Sequence, residues 1–302
     1  GKPYVDGLIH FPIAETATVI AAYKTGQVLM ADSLLNNLNP AQASQLGDEL
    51  EGKSIVHWAA GASNIAVMMN TRVTPFDDPN VRKAMNLVLH RQPIIETIGQ
   101  GQFPIGSPLP PGLSWSYPME KALQLPGLRS DSSDPQKKHA GDLAEAQKLM
   151  KDAGAGPGFK SILYCLRAEE YCDVAVLVKD QLKESLGWDL TIEQGEVAPL
   201  WARFLEGDYT FAVQARSCGI FDPDGCFSTY GKDSQSHARL TGFFNEQAQP
   251  LWEAQQVETD PAKRTALMGQ ISDHLLEDSS DIPIYWAVKN WIVSNKIQNF
   301  HM

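Results

Sequence analysis

Apolar positions recur along the chain at helical and at strand spacing, and the two periods are interleaved. Residues 15–25 (ETATVIAAYKT) place Val19, Ile20, Ala22 and Tyr23 at helical spacing, and Gly26 follows as a stop. Residues 40–51 open on Pro40 and read as a short helix. Alternation over 4–13 predicts a strand, and 54–59 and 64–70 predict two more, joined at Gly61. Val81, Ala84, Met85, Val88 and Leu89 make the single buried face of a helix over 79–91. Asp77, Asp78 and Pro79 open that helix, while Arg82, Lys83 and Arg91 fall elsewhere on it. A shorter helix is predicted over 93–98. Prolines from Pro104 to Pro135 keep the next stretch irregular. An amphipathic helix over 142–153 follows. Then come strand 159–165, helix 170–185, strand 188–193, helix 197–205 and strand 209–215, an order that predicts a mixed α/β domain. Helices over 246–257 and 261–277 and strands over 282–288 and 291–297 close the chain.

The 302 residues suffice for about two domains, and 43 % hydrophobic with 20 % charged residues supports an ordinary core. No run of 18 apolar residues occurs, so no segment reads as a membrane-spanning helix. A formal charge of -11 without any Lys/Arg cluster argues against nucleic acid as a partner. The opening GKPYVDGLIHFPI lacks a signal-peptide pattern. The chain is then either cytosolic or the later part of a longer exported one. Cysteines fall in two local pairs, Cys165/Cys172 and Cys218/Cys226, at spacings that do not suit zinc. Buried free thiols are the plainest reading, local disulfides the second and a catalytic thiol the last.

Enzyme motifs are absent: there is no G-x-S-x-G, H-E-x-x-H, Walker or dinucleotide-binding glycine pattern. His57, His90, His237 and His301 stand singly. Asp222-Pro223-Asp224-Gly225 lacks the ligand spacing of a calcium loop and reads as a turn. No catalytic site, metal or cofactor is expected. The loop after strand 209–215 is different, because ligands bind at the carboxyl ends of strands in open α/β sheets. Arg216, Ser217, Cys218, Asp222 and Asp224 on that loop, with Tyr230 and Phe243 beyond it, are the candidate ligand-binding residues. A competing reading is a hydrolase-like enzyme using Cys218 or Ser217 with a nearby histidine such as His237.

The order of several segments resembles the extracellular solute-binding proteins of the peptide/nickel type, family 5, which serve ABC importers. GKPYVDG with ETATVIAAYKTGQV, NTRVTPFDDPNVRKAMNLVLHRQPII, DLAEAQKLMKDAGAGPGF, GDYTFAVQARSCGIFDPD, TGFFNEQAQPLWEAQQVETDPAKR and IPIYW each match a family segment in the right order. The resemblance implies an α/β, two-lobed periplasmic binding protein-like fold (type II), with an incomplete lobe I and a complete lobe II. Lobe I would comprise 1–71 and the return strands 282–302, and lobe II 72–281. Hinges would fall near Asn70–Pro75 and Ser280–Tyr285. It further implies a periplasmic or extracellular receptor, free or lipid-anchored, that takes a small solute between its lobes and hands it to an ABC permease in the membrane. An export signal would then lie before Gly1. Gly219 or Ile220 stands where peptide-binding members carry an acidic residue, and Arg216 stands where a tryptophan is common. An arginine fork suits a carboxylate or phosphate, so the solute is read as anionic or peptide-like. A third reading is a truncated, ligand-incompetent fragment. Unpaired edges of the incomplete lobe I predict self-association, with Tyr4, Ile9, Phe11, Trp286 and Ile292 near the contacts.

Overall fold

The computed structural model describes residues 6–13, 15–33, 38–167, 170–234 and 237–301. The chain divides into two compact units, residues 1–60 with 288–302 and residues 61–287.

The first unit holds α1 (Thr16–Lys24), β1 (Met30–Asp32), α2 (Pro40–Glu49) and the start of β2 (Ser54–Met69). Asn39 caps α2: its side chain accepts from the Gln42 N–H at 2.8 Å, and the Gln42 side chain accepts from the Asn39 N–H at 3.1 Å. Two donors that the helix itself cannot satisfy are thereby paired, and Pro40 needs none. β1 pairs antiparallel with the end of the last strand of the chain, Met30 opposite Val293 and Asp32 opposite Trp291. Val19, Tyr23, Ala31, Leu38, Ala43, Leu46 and Ile292 form the core of this unit. The strand expected over 4–13 is not found in the described residues 6–13, where Leu8 and Ile9 are exposed. Alternation prepares a strand, but only a partner's peptide groups make one.

The second unit continues β2 and adds α3 (Pro79–Val88), α4 (Arg91–Gly99), α5 (Met119–Ala122), α6 (Ala140–Asp152), β3 (Lys160–Leu166), α7 (Tyr171–Leu186), β4 (Asp189–Gly195), α8 (Val197–Glu206) and β5 (Phe211–Ser217). There follow α9 (Pro223–Phe227), α10 (His237–Thr241), α11 (Ala248–Val257), α12 (Pro261–Asp278) and β6 (Asp281–Ser294), whose end belongs to the first unit. The strand order here is β6-β2-β5-β3-β4. β3 runs parallel to β4 and β5, and β5 runs antiparallel to β2. The β-α-β-α-β order expected over 159–215 is therefore present.

Two expectations change. The strand pairs at 54–59/64–70 and 282–288/291–297 are each one continuous strand. Gly61 is no turn: a Cβ there would lie 2.4 Å from the Ala287 carbonyl oxygen, so glycine is what lets the two backbones approach. α3 also buries more than its apolar stripe. Val81, Ala84, Met85 and Val88 are buried as expected, but so are Arg82 and, at the start of α4, Arg91. Arg82 donates to the Phe76 carbonyl at 3.0 Å and faces the Asp278 carboxylate at 3.8 Å. Arg91 donates to the carbonyls of Pro283 (2.6 Å) and Gly127 (2.7 Å) and to Asn86 Oδ1 (2.7 Å). A guanidinium can be buried when carbonyl and carboxamide oxygens surround it.

The proline-rich stretch packs on β6. The Trp286 N–H donates to Pro104 O and its indole N–H to Ser107 O, both at 2.9 Å. Trp286 and Ile292 are thus covered by their own chain and are not exposed for association, whereas Ile9 and Phe11 are exposed. Tyr4 lies outside the described residues. All four cysteines are oxidised, as Cys165–Cys172 and Cys218–Cys226, which overturns the free-thiol reading.

Candidate functional site

β5 outruns its neighbour. Its pairing with β3 covers only Phe211, Ala212 and Val213, while its pairing with β2 extends to Ser217. The Cys218 N–H donates to Ala62 O at 2.7 Å, which fixes the alternation of the antiparallel ladder. Arg216 and Gln214 exchange bonds with Asn64 and Ala66, so Ala215 and Ser217 turn their peptide groups away from β2. Beyond Val213 no strand of the described residues takes that edge.

A cleft of about 270 Å3 lies there. β5 supplies Gln214, Ala215, Arg216 and Ser217, and β2 supplies Ala66 and Met68. Trp201 of α8 and Leu240 of α10 add apolar wall, and Thr229 and Asp281 complete it. The side chains at 64, 66 and 68 share one sheet face with those at 216 and 214, because residues directly opposite in a ladder point the same way.

Arg216 is 7 % exposed and already engaged. It donates to Asp281 Oδ2 at 3.0 Å and to Pro108 O at 3.3 Å, and its guanidinium lies 4.0 Å from the Tyr230 ring centroid. Burial pushes the Tyr230 phenol well above its ordinary range, so the ring under the guanidinium stays neutral. Its quadrupole then faces the cation. Gln214 donates through Nε2 to the Met68 sulfur at 3.0 Å, while its Oε1 has no partner among the described residues. Asn64 is fully buried, and neither of its amide atoms has one.

The seven candidate residues from the sequence do not form one site. Arg216 and Ser217 line the cleft, and Tyr230 supports Arg216. Cys218 is locked to Cys226, so it offers no thiolate, and the hydrolase reading loses that nucleophile. Ser217 Oγ meets Ser63 Oγ at 2.6 Å. The side chain of His237 lies outside the described residues. Asp222 caps α9 by accepting from the Asp224 N–H at 3.0 Å, and Asp224 accepts from the Gln255 amide. Phe243 belongs to a different groove of about 630 Å3, with Arg82, His274 and Asp278. Burial there pushes the Asp278 carboxyl up to about 7. Sequence reasoning missed Gln214, Met68, Trp201 and Asp281. Gln214 was accessible, since it stands two residues before Arg216 on the same strand face; Asp281 and Trp201 arrive from remote elements with no local mark.

A family model for bacterial extracellular solute-binding proteins, family 5 (middle), matches residues 1–238. The chain belongs to this family. This family 5 chain is 25 % identical to the periplasmic oligopeptide-binding protein OppA of Escherichia coli over 308 residues, covering 96 % of this chain and 52 % of that protein. It spans about half the length of the curated relatives it matches. Among solved structures it resembles DppA of Helicobacter pylori in complex with the peptide STSA, with TM-score 0.75 and 20 % identity over 95 % of this chain and 52 % of that one. It also resembles AgaA of A. tumefaciens R10 in complex with agropinic acid, with TM-score 0.71 and 21 % identity over 93 % of this chain and 54 % of that one. The fold is thus the α/β, type II periplasmic binding protein fold, in part. Family and relatives are binding proteins rather than enzymes.

Proposed function

We propose that this chain is the solute-capturing component of an ABC import system and holds an extended, peptide-like solute along the open edge of β5. One observation carries the reading: Ala215 and Ser217, which line the cleft, turn their peptide groups away from β2 at an edge where β3 has already ended. A strand edge of that kind accepts a further extended backbone, with hydrogen bonds at alternate residues and side chains sent into flanking pockets. The peptide-binding relatives support the same class of solute. Arg216 supports an anionic solute less, because Asp281 already balances its charge. The family's description as extracellular and the two disulfides support a place outside the cytoplasm. The lobe division 1–71, 72–281 and 282–302 and delivery to a membrane permease belong to the same proposal.

Calorimetric titration with acetyl-trialanine-amide and its fully N-methylated counterpart tests the edge reading. N-methylation removes the solute's backbone donors and should weaken binding by about tenfold or more, the equivalent of one to two hydrogen bonds. Equal affinity for the two peptides, or none for either, overturns it.

A further inference from the structure

We infer that Gln214 makes the cleft selective for an uncharged, hydrogen-bond-donating group on the solute, a carboxamide or a hydroxyl, and selective against carboxylates. The inference rests on the extended-solute reading above. Gln214 is 5 % exposed yet lines the cleft. Its orientation is fixed by Met68: a thioether accepts and cannot donate, so the amide nitrogen faces the sulfur. The carbonyl Oε1 is left as a buried acceptor with no partner among the described residues. Buried polar atoms in native proteins nearly always have partners, and the missing one here is a donor.

The charges nearby decide which donor. Arg216 is the next side chain on that face of β5, and Asp281 neutralises it at 3.0 Å. A solute carboxylate would find no uncompensated cation, and Gln214 Oε1 would oppose it. A solute ammonium would be drawn to Oε1, but it would be buried beside the Arg216 guanidinium with Asp281 already taken. A neutral donor avoids both costs.

The test titrates blocked homotripeptides, acetyl-Xaa-Xaa-Xaa-amide with Xaa as Asn, Ser, Ala, Asp or Lys, into the protein and into Gln214→Leu. High salt screens the overall charge of -11. The Asn and Ser peptides should bind about tenfold or more tighter than the Asp and Lys peptides, and Gln214→Leu should erase most of that margin. Gln214→Glu should shift the preference toward Lys. Tightest binding of Asp or Lys by the parent protein overturns the inference, as does binding of all five peptides without preference. These outcomes leave the extended-solute reading intact, whereas failure of every peptide to bind overturns that reading itself. Should Gln214→Leu lose its folded circular dichroism, the ranking in the parent protein and the shift in Gln214→Glu decide.

Discussion

Arg216 lies between Asp281 and Tyr230, and the whole guanidinium is spent on its own protein. Arg216→Ala should therefore cost about 3–5 kcal/mol of stability, because Asp281 would be left as a buried carboxylate without its cation. Urea unfolding of the two proteins measures this; unchanged stability would show that Arg216 is held for the solute instead. His90 offers a second test at this scale. Burial first, and then the Lys138 ammonium, push its imidazole down to about 4, while its Nε2 lies 3.1 Å from Pro135 O. A depressed histidine stabilises the fold fully above its unfolded value of 6.5, and that contribution is lost as pH falls through about 4. The stability margin of the parent over His90→Asn should shrink steadily between those pH values, in unfolding titrations run at each pH. A constant margin would mean that His90 does not titrate there. What the sequence disclosed of this site was its strand and loop. The use of Arg216 was hidden, because its ionic partner is Asp281, 65 residues further along the chain.

Elements were more legible where their signals are local. Asp78 accepts from the Asn80 N–H at 2.8 Å, which is the cap that Asp78-Pro79 implied. Met85 is fully buried, as the stripe through Val81, Ala84 and Val88 required. Met85→Ala should cost about 2–5 kcal/mol and Asp78→Ala about 0.5–2 kcal/mol, read from chemical unfolding midpoints. Neither should alter solute affinity. Strands were less legible, because a strand is completed by a partner that the local pattern does not contain. Residues 4–13 alternate like a strand, but none is found in 6–13, and Gly61, which looks like a break, lies inside β2 because Ala287 needs the space. The short α9 and α10 carry too few residues to show a period.

For the molecule as a whole, resemblance reached the family and the α/β class, while the open edge of β5 emerged only with the register of β2, β3 and β5. Oxidation state is another whole-chain property that spacing left open. With both pairs closed, the unfolded, unreduced protein should take up no iodoacetamide; any labelling would show an open pair. The Cys218–Cys226 bridge has a mechanical corollary. It brackets the segment holding Ile220 and Phe221, both exposed, Phe221 by 45 %. Chymotrypsin, which cuts after aromatic residues, should find Phe221 accessible in the folded protein. A cut there separates residues 1–221 from 222–302 along the backbone, but the two pieces stay tethered through sulfur. The nicked molecule should migrate as one band on a denaturing gel and as two after reduction. Such a chain survives an exposed apolar fingertip that proteases can reach.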